Sequence, residues 1–470
     1  MENNISYRSF NIISTERDSE SSFLNFSQHW KDIIDNKIKD KIQPSLSDIT
    51  DTHTMYINGT YKPYIQTCCT YFKTSPQTAL NFGKTSKFHI KRNGVFISDM
   101  VLHIKLSNMS VISPEDKIRY VSFLGHKLIK NVKFYKNNKL LDQYGTEEYN
   151  AHYQFKVLPN KKKAWLKNIG QEIPEMGCIM SDLDNCDIQE YKMFCSGNQT
   201  LKSNHESVDL FIPLIFWFND IKHALPMFPY NSSCFIEVEL SPLDDIVSFL
   251  NKSNSEYNKP TIEVGNLYVN NITIPTEITK LLKNQISIVR THYKQTIELD
   301  KPHQEIEINQ KRLENLYVSF TPNDNSTNSQ MWHKNLVLKS NKIKVPVIKD
   351  DQISIGHMTY YSNKPTIDNI TLKCGDLDIY NSFHENFFNS YTPYIFGDSV
   401  NTPDDGWYMI NSNIKPNQHQ PSGIFPVNKN HPLKLSYISS FIDDNNKTTM
   451  NILGDIINVY KYDQATLNFS

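Results

Sequence analysis

No run of about 18 apolar residues occurs in the 470-residue chain, so no segment is long and apolar enough to cross a bilayer as a helix. The opening stretch, Met1 to Arg8, also lacks the apolar core of a signal peptide, and a cytosolic product is expected. Cysteine is sparse and odd in number: the 7 residues Cys68, Cys69, Cys178, Cys186, Cys195, Cys234 and Cys374 suit reduced thiols, not a disulfide framework. Charge of one sign is lacking too. Lysine plus arginine (49) almost cancels aspartate plus glutamate (50), leaving a net charge of -1 and no field of the kind that wraps nucleic acid, so no direct nucleic-acid partner is expected.

The motifs of catalysis are missing as well. None of the 15 His forms a His-x-His pair, no His-Glu-x-x-His helix is present, and Cys178, Cys186 and Cys195 stand too far apart to close on one zinc. Gly83-Lys84-Thr85 resembles the end of a phosphate loop, but Thr78 occupies the place of its first glycine and a strand follows where a helix is needed. No Gly-x-Ser-x-Gly elbow occurs, and sequence spacing shows no carboxylate pair of the glycosidase kind. Only a triad assembled from distant residues would escape such a search. No catalytic residue, cofactor site or metal site is assigned, and the chain is expected not to be an enzyme.

What is abundant is aromatic: 25 Tyr and 25 Phe among 39 % hydrophobic residues favour pleated, half-buried surfaces. The length calls for two cores. From Ser21 to Ile42, Phe23, Phe26, Trp30, Ile33, Ile34, Ile38 and Ile42 recur at helical spacing, and Pro44 stops the run. This amphipathic helix is expected either to pack on its own domain or to form an arm that docks on a membrane surface or a partner. Beyond Met55 strand grammar takes over. Lys87 to Leu106 predicts two strands around Asn93-Gly94, as a hairpin or a bend, and Lys130 to Asp142 predicts a hairpin turning at Asn137 and Asn138. Further strands are expected at Cys234–Leu240 and Leu267–Ile274, followed by a short helical pattern over Thr276–Leu282 and a boundary near residue 280. The second unit shows strands at Glu305–Ile308, Leu316–Phe320, Asn369–Cys374, Trp407–Ile410, Leu433–Ile438 and Asp455–Tyr460.

Two passages correspond across the units: Leu210 to Phe218 and Asn411 to Gly423 each lie beside a β-rich run, which predicts two β units in tandem. Pro213 and Pro226 are expected to bound a loop whose Phe216, Trp217 and Phe218 fill a core. In the second passage Gly423 is expected to need a permissive φ, with Gln420 and Ser422 satisfying the exposed backbone. Lys161-Lys162-Lys163 is expected to be a solvated loop or a contact with a neighbouring subunit or an acidic partner. The sequons at Asn58, Asn231 and Asn369 are of the sort that arises by chance in an Asn-rich chain.

The run Leu124 to Phe134 with Leu141-Asp142, the block Phe211 to Phe218 with Ala224-Leu225-Pro226 and Phe235–Leu240, and His419-Gln420-Pro421-Ser422-Gly423 together resemble the major capsid proteins of nucleocytoplasmic large DNA viruses. In that family Leu124 to Lys130 would be a strand. The resemblance implies an all-β protein of two tandem eight-stranded antiparallel jelly rolls, a double jelly roll, with an N-terminal helical arm. The implied domains are an arm over residues 1–55, a first jelly roll over 56–280 and a second over 281–470. It implies a homotrimer forming a pseudo-hexagonal capsomer, with neighbouring capsomers, minor capsid proteins and, through the arm, the inner viral membrane as partners. It would be made and assembled in the host cytoplasm and reside in the virion capsid. The alternatives are a poxvirus-like scaffold that shapes an immature membrane, and a β-sandwich carbohydrate-binding protein or glycan hydrolase stacking sugars on Trp30, Trp165, Trp217, Trp332 or Trp407.

Overall fold

The computed structural model describes residues 67–468, apart from segments 114–115, 173–174, 179–190, 195–198, 228–232, 250–255, 276–285, 329–330, 350–351, 398–402, 416–419, 428–430 and 462–465. The expected arm with its helix over Ser21–Ile42, the pattern at Thr276–Leu282, the boundary near 280, Trp30, Cys186, Cys195, His419 and the sequons at Asn58 and Asn231 lie outside the described residues. Residues Cys68–Ser470 form one compact unit.

The two main sheets of the first part are built from β1 (Cys68–Thr74), β2 (Thr85–His89), β3 (Phe96–Leu106), β4 (Ile129–Lys136), β5 (Lys139–Gly145), β6 (Val208–Pro213), β7 (Cys234–Leu240) and β8 (Ile262–Thr273), with shorter strands beside them. They lie in two antiparallel sheets, ordered β1-β8-β3-β6 and β2-β7-β4-β5. The second part adds β9 (Ile286–Leu299), β10 (His303–Ile308), β11 (Leu313–Pro322), β12 (Leu336–Lys349), β13 (Gln352–Pro365), β14 (Asn369–Cys374), β15 (Leu377–His384), β16 (Trp407–Asn411), β17 (Leu433–Ile438) and β18 (Thr448–Lys461). Its main sheets run β9-β18-β11-β16 and β10-β17-β14-β15. Leaving out the two-stranded ribbon β12–β13, the second order repeats the first strand for strand. Of the two passages matched in the sequence, the first runs through the end of β6 and the second begins at the last residue of β16, and β6 and β16 are each the fourth strand of their sheet.

Alternation explains the cores. Along β7, Ile236, Val238 and Leu240 point inward while Glu237 and Glu239 stay half-exposed; along β14, Ile370, Leu372 and Cys374 do the same. The first core gathers Phe88, Leu102, Ile104, Phe134, Ile236 and Val238, and the second gathers Leu316, Val318, Ile370, Leu372, Leu433 and Leu435. Phe216 and Phe218 are buried in the first core beside Phe134, with ring centroids 5.5 and 4.9 Å from it, and Trp217 packs half-buried at their edge. Packing is therefore their role. Asn137 and Asn138, at φ 53° and 61°, make the tight β4–β5 hairpin turn, the mirror-image turn whose twist suits two strands.

Of the two forms open for Lys87 to Leu106 the structure takes the bend, because β2 pairs with β7 in one sheet whereas β3 pairs with β8 and β6 in the other. Two local expectations need correction. Leu124–Leu128 is a short helix (α1) before β4, not a strand. Its Leu124 and Leu128 bury one face, and Gly125 lies so near Ile169 that a Cβ there would sit 2.9 Å from the Ile169 Cβ. The lysine run 161–163 lies on a helix and not a loop. That helix, α3 (Pro159–Asn168), starts at a proline, follows α2 (Thr146–Phe155), and buries none of its residues.

Candidate functional site

Strand β11 is buried along its whole length, which alternation alone does not produce. Helix α2 supplies the cover, bringing Ala151 and Phe155 from the first part against Tyr317, Trp407, Met409 and Leu453 of the second. The Phe155 ring stacks 4.6 Å from Tyr317 and stands edge-on to Trp407 at 6.0 Å. Burying these six side chains contributes roughly 10 kcal/mol of gross apolar stabilisation. The seam between the two sheet pairs is thus a third core.

Polar bonds rim it. Asp142 on β5 accepts the ring Nδ1–H of His292 on β9 at 3.0 Å. Lys156, just past α2, donates to Asp455 on β18 at 2.6 Å, and Tyr317 donates to the other Asp455 oxygen at 3.4 Å. Gln154 accepts the backbone N–H of Asp404, Trp332 donates its indole N–H to the Ser122 carbonyl at 2.8 Å, and Arg290 grips Glu314 with two donors. Burial works to raise the Asp455 carboxyl, but Lys156, with His292 and Arg290 behind it, holds it below the usual carboxylate value. Burial opposes the charge of His292, and Asp142 outweighs that and raises its pKa. A cavity of about 20 Å³, lined by Glu148, His152, Lys156, His292, Tyr317 and Asp455 among others, opens here. It has room for roughly one water, so this constellation has the charges of an active site but no space for a substrate.

Four further groups sit where burial works against their charge. Lys136, fully buried on β4, donates to the Pro226 carbonyl at 2.8 Å and to the Tyr460 hydroxyl at 2.9 Å, and burial lowers its pKa to about 8. His126 on α1 bonds Asn150 through Nδ1 and accepts the Trp165 indole N–H at Nε2, both at 2.9 Å, and burial pushes it down to about 4. His152, stacked on Trp165, and His333, packed on Phe123, are likewise held well below 6.5 by burial, the latter at about 3. Each is thus a neutral histidine in a packed wall.

The residues singled out in the sequence do not converge on a ligand. Trp407 and Trp332 are buried, and Trp165 and Trp217 are half-buried against the first core, so none of the four described tryptophans offers a face for a sugar. Gly83 takes φ 68° in the turn into β2, and Lys162 lies over the Tyr153 ring. Ser422 does satisfy backbone, accepting from the Lys415 N–H and donating to its carbonyl, each at 2.8 Å, whereas Gln420 is exposed. Gly423 has no left-handed φ; its glycine is explained by contact, since a Cβ would sit 3.0 Å from Asn413 Oδ1 and 3.2 Å from the Ser412 carbonyl. Cys68, Cys69, Cys234 and Cys374 are free thiols. No group of three or more His, Cys, Asp or Glu side chains that could hold a metal is found among the described residues.

Sequence missed the surface that the second part displays. There a π-helical turn (Phe387–Tyr391) runs into α4 (Thr392–Phe396) beside the edge strand β15. Its exposed side carries Tyr391, Tyr394 and Ile395 next to Phe383. The irregular turn defeats a simple 3.6-residue pattern, so the segment gave no clear signal.

Comparison with known proteins bears on the whole arrangement. A family model described as "Major capsid protein N-terminus" matches residues 56–275. The hexon protein p72 of African swine fever virus is 22 % identical over 85 % of this chain and 88 % of that protein. In fold, the chain is similar to the Faustovirus major capsid protein (TM-score 0.75, 20 % identity, 92 % of this chain and 97 % of that one). It is also similar to a chain of the PBCV-1 virus capsid (TM-score 0.63, 14 % identity, 87 % and 98 %).

Proposed function

Since the chain belongs to the major capsid proteins of nucleocytoplasmic large DNA viruses, we propose that three copies close into a pseudo-hexagonal capsomer and that such capsomers tile an icosahedral shell. The strand-for-strand repeat of the two sheet pairs carries this reading. Two similar wedges per chain give a threefold ring six near-equivalent edges, which is the shape that tiles a plane. The seam supports it as well, because a third core with its rim of bonds fixes the angle between the wedges.

In this proposal the wedges are the domains 56–280 and 281–470, and residues 1–55 form an arm toward the inner viral membrane. Neighbouring capsomers and minor capsid proteins are the other partners, at contacts above about 1,000 Å². The protein is structural and not enzymatic, makes no direct contact with nucleic acid, and is assembled in the host cytoplasm. Soluble chain is expected at three times its 54.7 kDa mass, with a pseudo-hexagonal outline by electron microscopy. A stable monomer at micromolar concentration would refute the capsomer, and absence from purified mature virions would leave only the transient scaffold.

A further inference from the structure

Phe383, Phe387, Tyr391, Tyr394 and Ile395 form one ridge. Phe383 and Phe387 have ring centroids 4.8 Å apart, Phe387 and Tyr391 5.1 Å, and Tyr394 and Ile395 follow Tyr391 at the three- and four-residue spacing of one helix face. The opposite face is fastened down. Asn389 donates to the Asp404 and Trp407 carbonyls, and Thr392 donates to the Met409 carbonyl at 2.6 Å, all on or beside β16. With the inner face bonded in this way, the segment has no freedom to roll its rings inward.

The exposed fractions are 38 % for Phe383, 51 % for Tyr391, 79 % for Tyr394 and 49 % for Ile395. At roughly 200 Å² per ring-sized side chain these leave about 400 Å² of contiguous apolar surface. That is about half of the ~800 Å² each partner contributes to a stable interface, and it is the scale of the largest apolar patch on a typical folded chain, which is often functional. Aromatic residues without charge are also the composition of an interface centre.

Resting on the capsomer reading above, we infer that this ridge is the contact with a second copy of the chain, and that it seats on the outer face of that copy's β1-β8-β3-β6 sheet. A threefold ring joins unlike surfaces, so the ridge must meet a different patch and not itself. That sheet presents the match. Phe211 stacks on His103 at 4.3 Å, Tyr268 stands 6.1 Å from His103, and Tyr71 lies further along the same face, bonded to Asp99. Asp99, which already accepts from Tyr71 and Asn270, and Asp209, which already bonds His103, keep further carboxylate lone pairs that can accept from the Tyr391 and Tyr394 hydroxyls.

The test uses full-length protein in two forms. Tyr391→Ser with Tyr394→Ser should leave thermal melting of the separated chain unchanged and raise the trimer dissociation midpoint at least tenfold by light scattering. Tyr394→p-benzoylphenylalanine keeps the ring and, on illumination, should give adducts between copies on peptides that contain Phe211 or Tyr71. Adducts elsewhere on the chain, on another polypeptide or on lipid overturn the assignment, as does a trimer of undiminished stability in the double variant. A wild-type chain that never forms trimers sinks the capsomer reading instead. The photo-probe still decides the ridge in that case, because absence of adducts between copies at those peptides overturns it whatever the mass.

Discussion

Asp142 holds His292 at two points: Oδ1 accepts the backbone N–H and Oδ2 the ring Nδ1–H, each at 3.0 Å. One carboxylate thereby closes a backbone group at the start of the second sheet pair and favours the charged form of a ring that burial alone would keep neutral. Asp142→Asn keeps the shape and removes the charge. Unfolding free energy is expected to fall by about 3 kcal/mol, the scale of a broken buried pair, and the His292 pKa to drop below 6.5. Urea denaturation and histidine NMR check the two effects, and a loss under about 0.5 kcal/mol would contradict this role for the pair.

Acid should weaken the fold through the other histidines. His126, His152 and His333 have folded pKa values below their unfolded 6.5, so below about pH 6.5 the unfolded chain takes up protons that the folded one refuses. His126 alone, at about 4, is expected to cost about 2 kcal/mol between pH 8 and pH 5. His292 acts in the opposite sense, since its raised pKa contributes stability that is present below 6.5 and lost as pH rises through its folded value. Stability is therefore expected to rise from pH 5 toward neutrality. Denaturation midpoints at pH 8, 6.5 and 5 test this, with His126→Gln reducing the acid limb.

At alkaline pH Lys136 should govern. Its folded pKa of about 8 lies below the ordinary 10.5, so stability is expected to rise as pH climbs from 8 toward 10.5. Lys136→Met removes that slope. Near pH 7 the exchange should change stability by only about 1 kcal/mol, because relief of a costly buried charge is offset by the loss of the Lys136 donor to the Pro226 carbonyl and the Tyr460 hydroxyl. An unchanged alkaline slope in the variant would show that Lys136 is not its source.

How much was legible depended on range. The alternation at Cys234–Leu240, Asn369–Cys374 and Leu433–Ile438 matched the strands residue for residue, and Asn137 and Asn138 marked their turn, because both signals are local. Alternation tells which face a residue takes but not which sheet its strand joins, so Lys87 to Leu106 left hairpin and bend equally open. Pro159 at the start of α3 was an available helix signal that the lysine run obscured. Lys156 and Asp455 lie 299 residues apart, and no spacing rule links such a pair.

Gly406 offers a test of local strain. It takes φ 85°, and a Cβ there would sit 1.9 Å from the Asn335 carbonyl oxygen. Gly406→Ala is expected to cost at least ~3 kcal/mol, from the left-handed backbone together with the collision. A melting temperature within a degree of the parent would show that this turn rearranges freely.

The seam also sets a timetable for synthesis. The first sheet pair is complete at Thr273, but Asp455 and Tyr460 leave the ribosome only about 180 residues later. At ~5–20 residues per second that interval is roughly 10–40 s. Throughout it Lys156 lacks Asp455, Lys136 has the Pro226 carbonyl but not the Tyr460 hydroxyl, and the Phe155 side of α2 stays bare. The nascent first half is consequently a sticky intermediate whose lifetime is fixed by translation speed, so slowing elongation over residues 274–455 should lower the yield of folded chain.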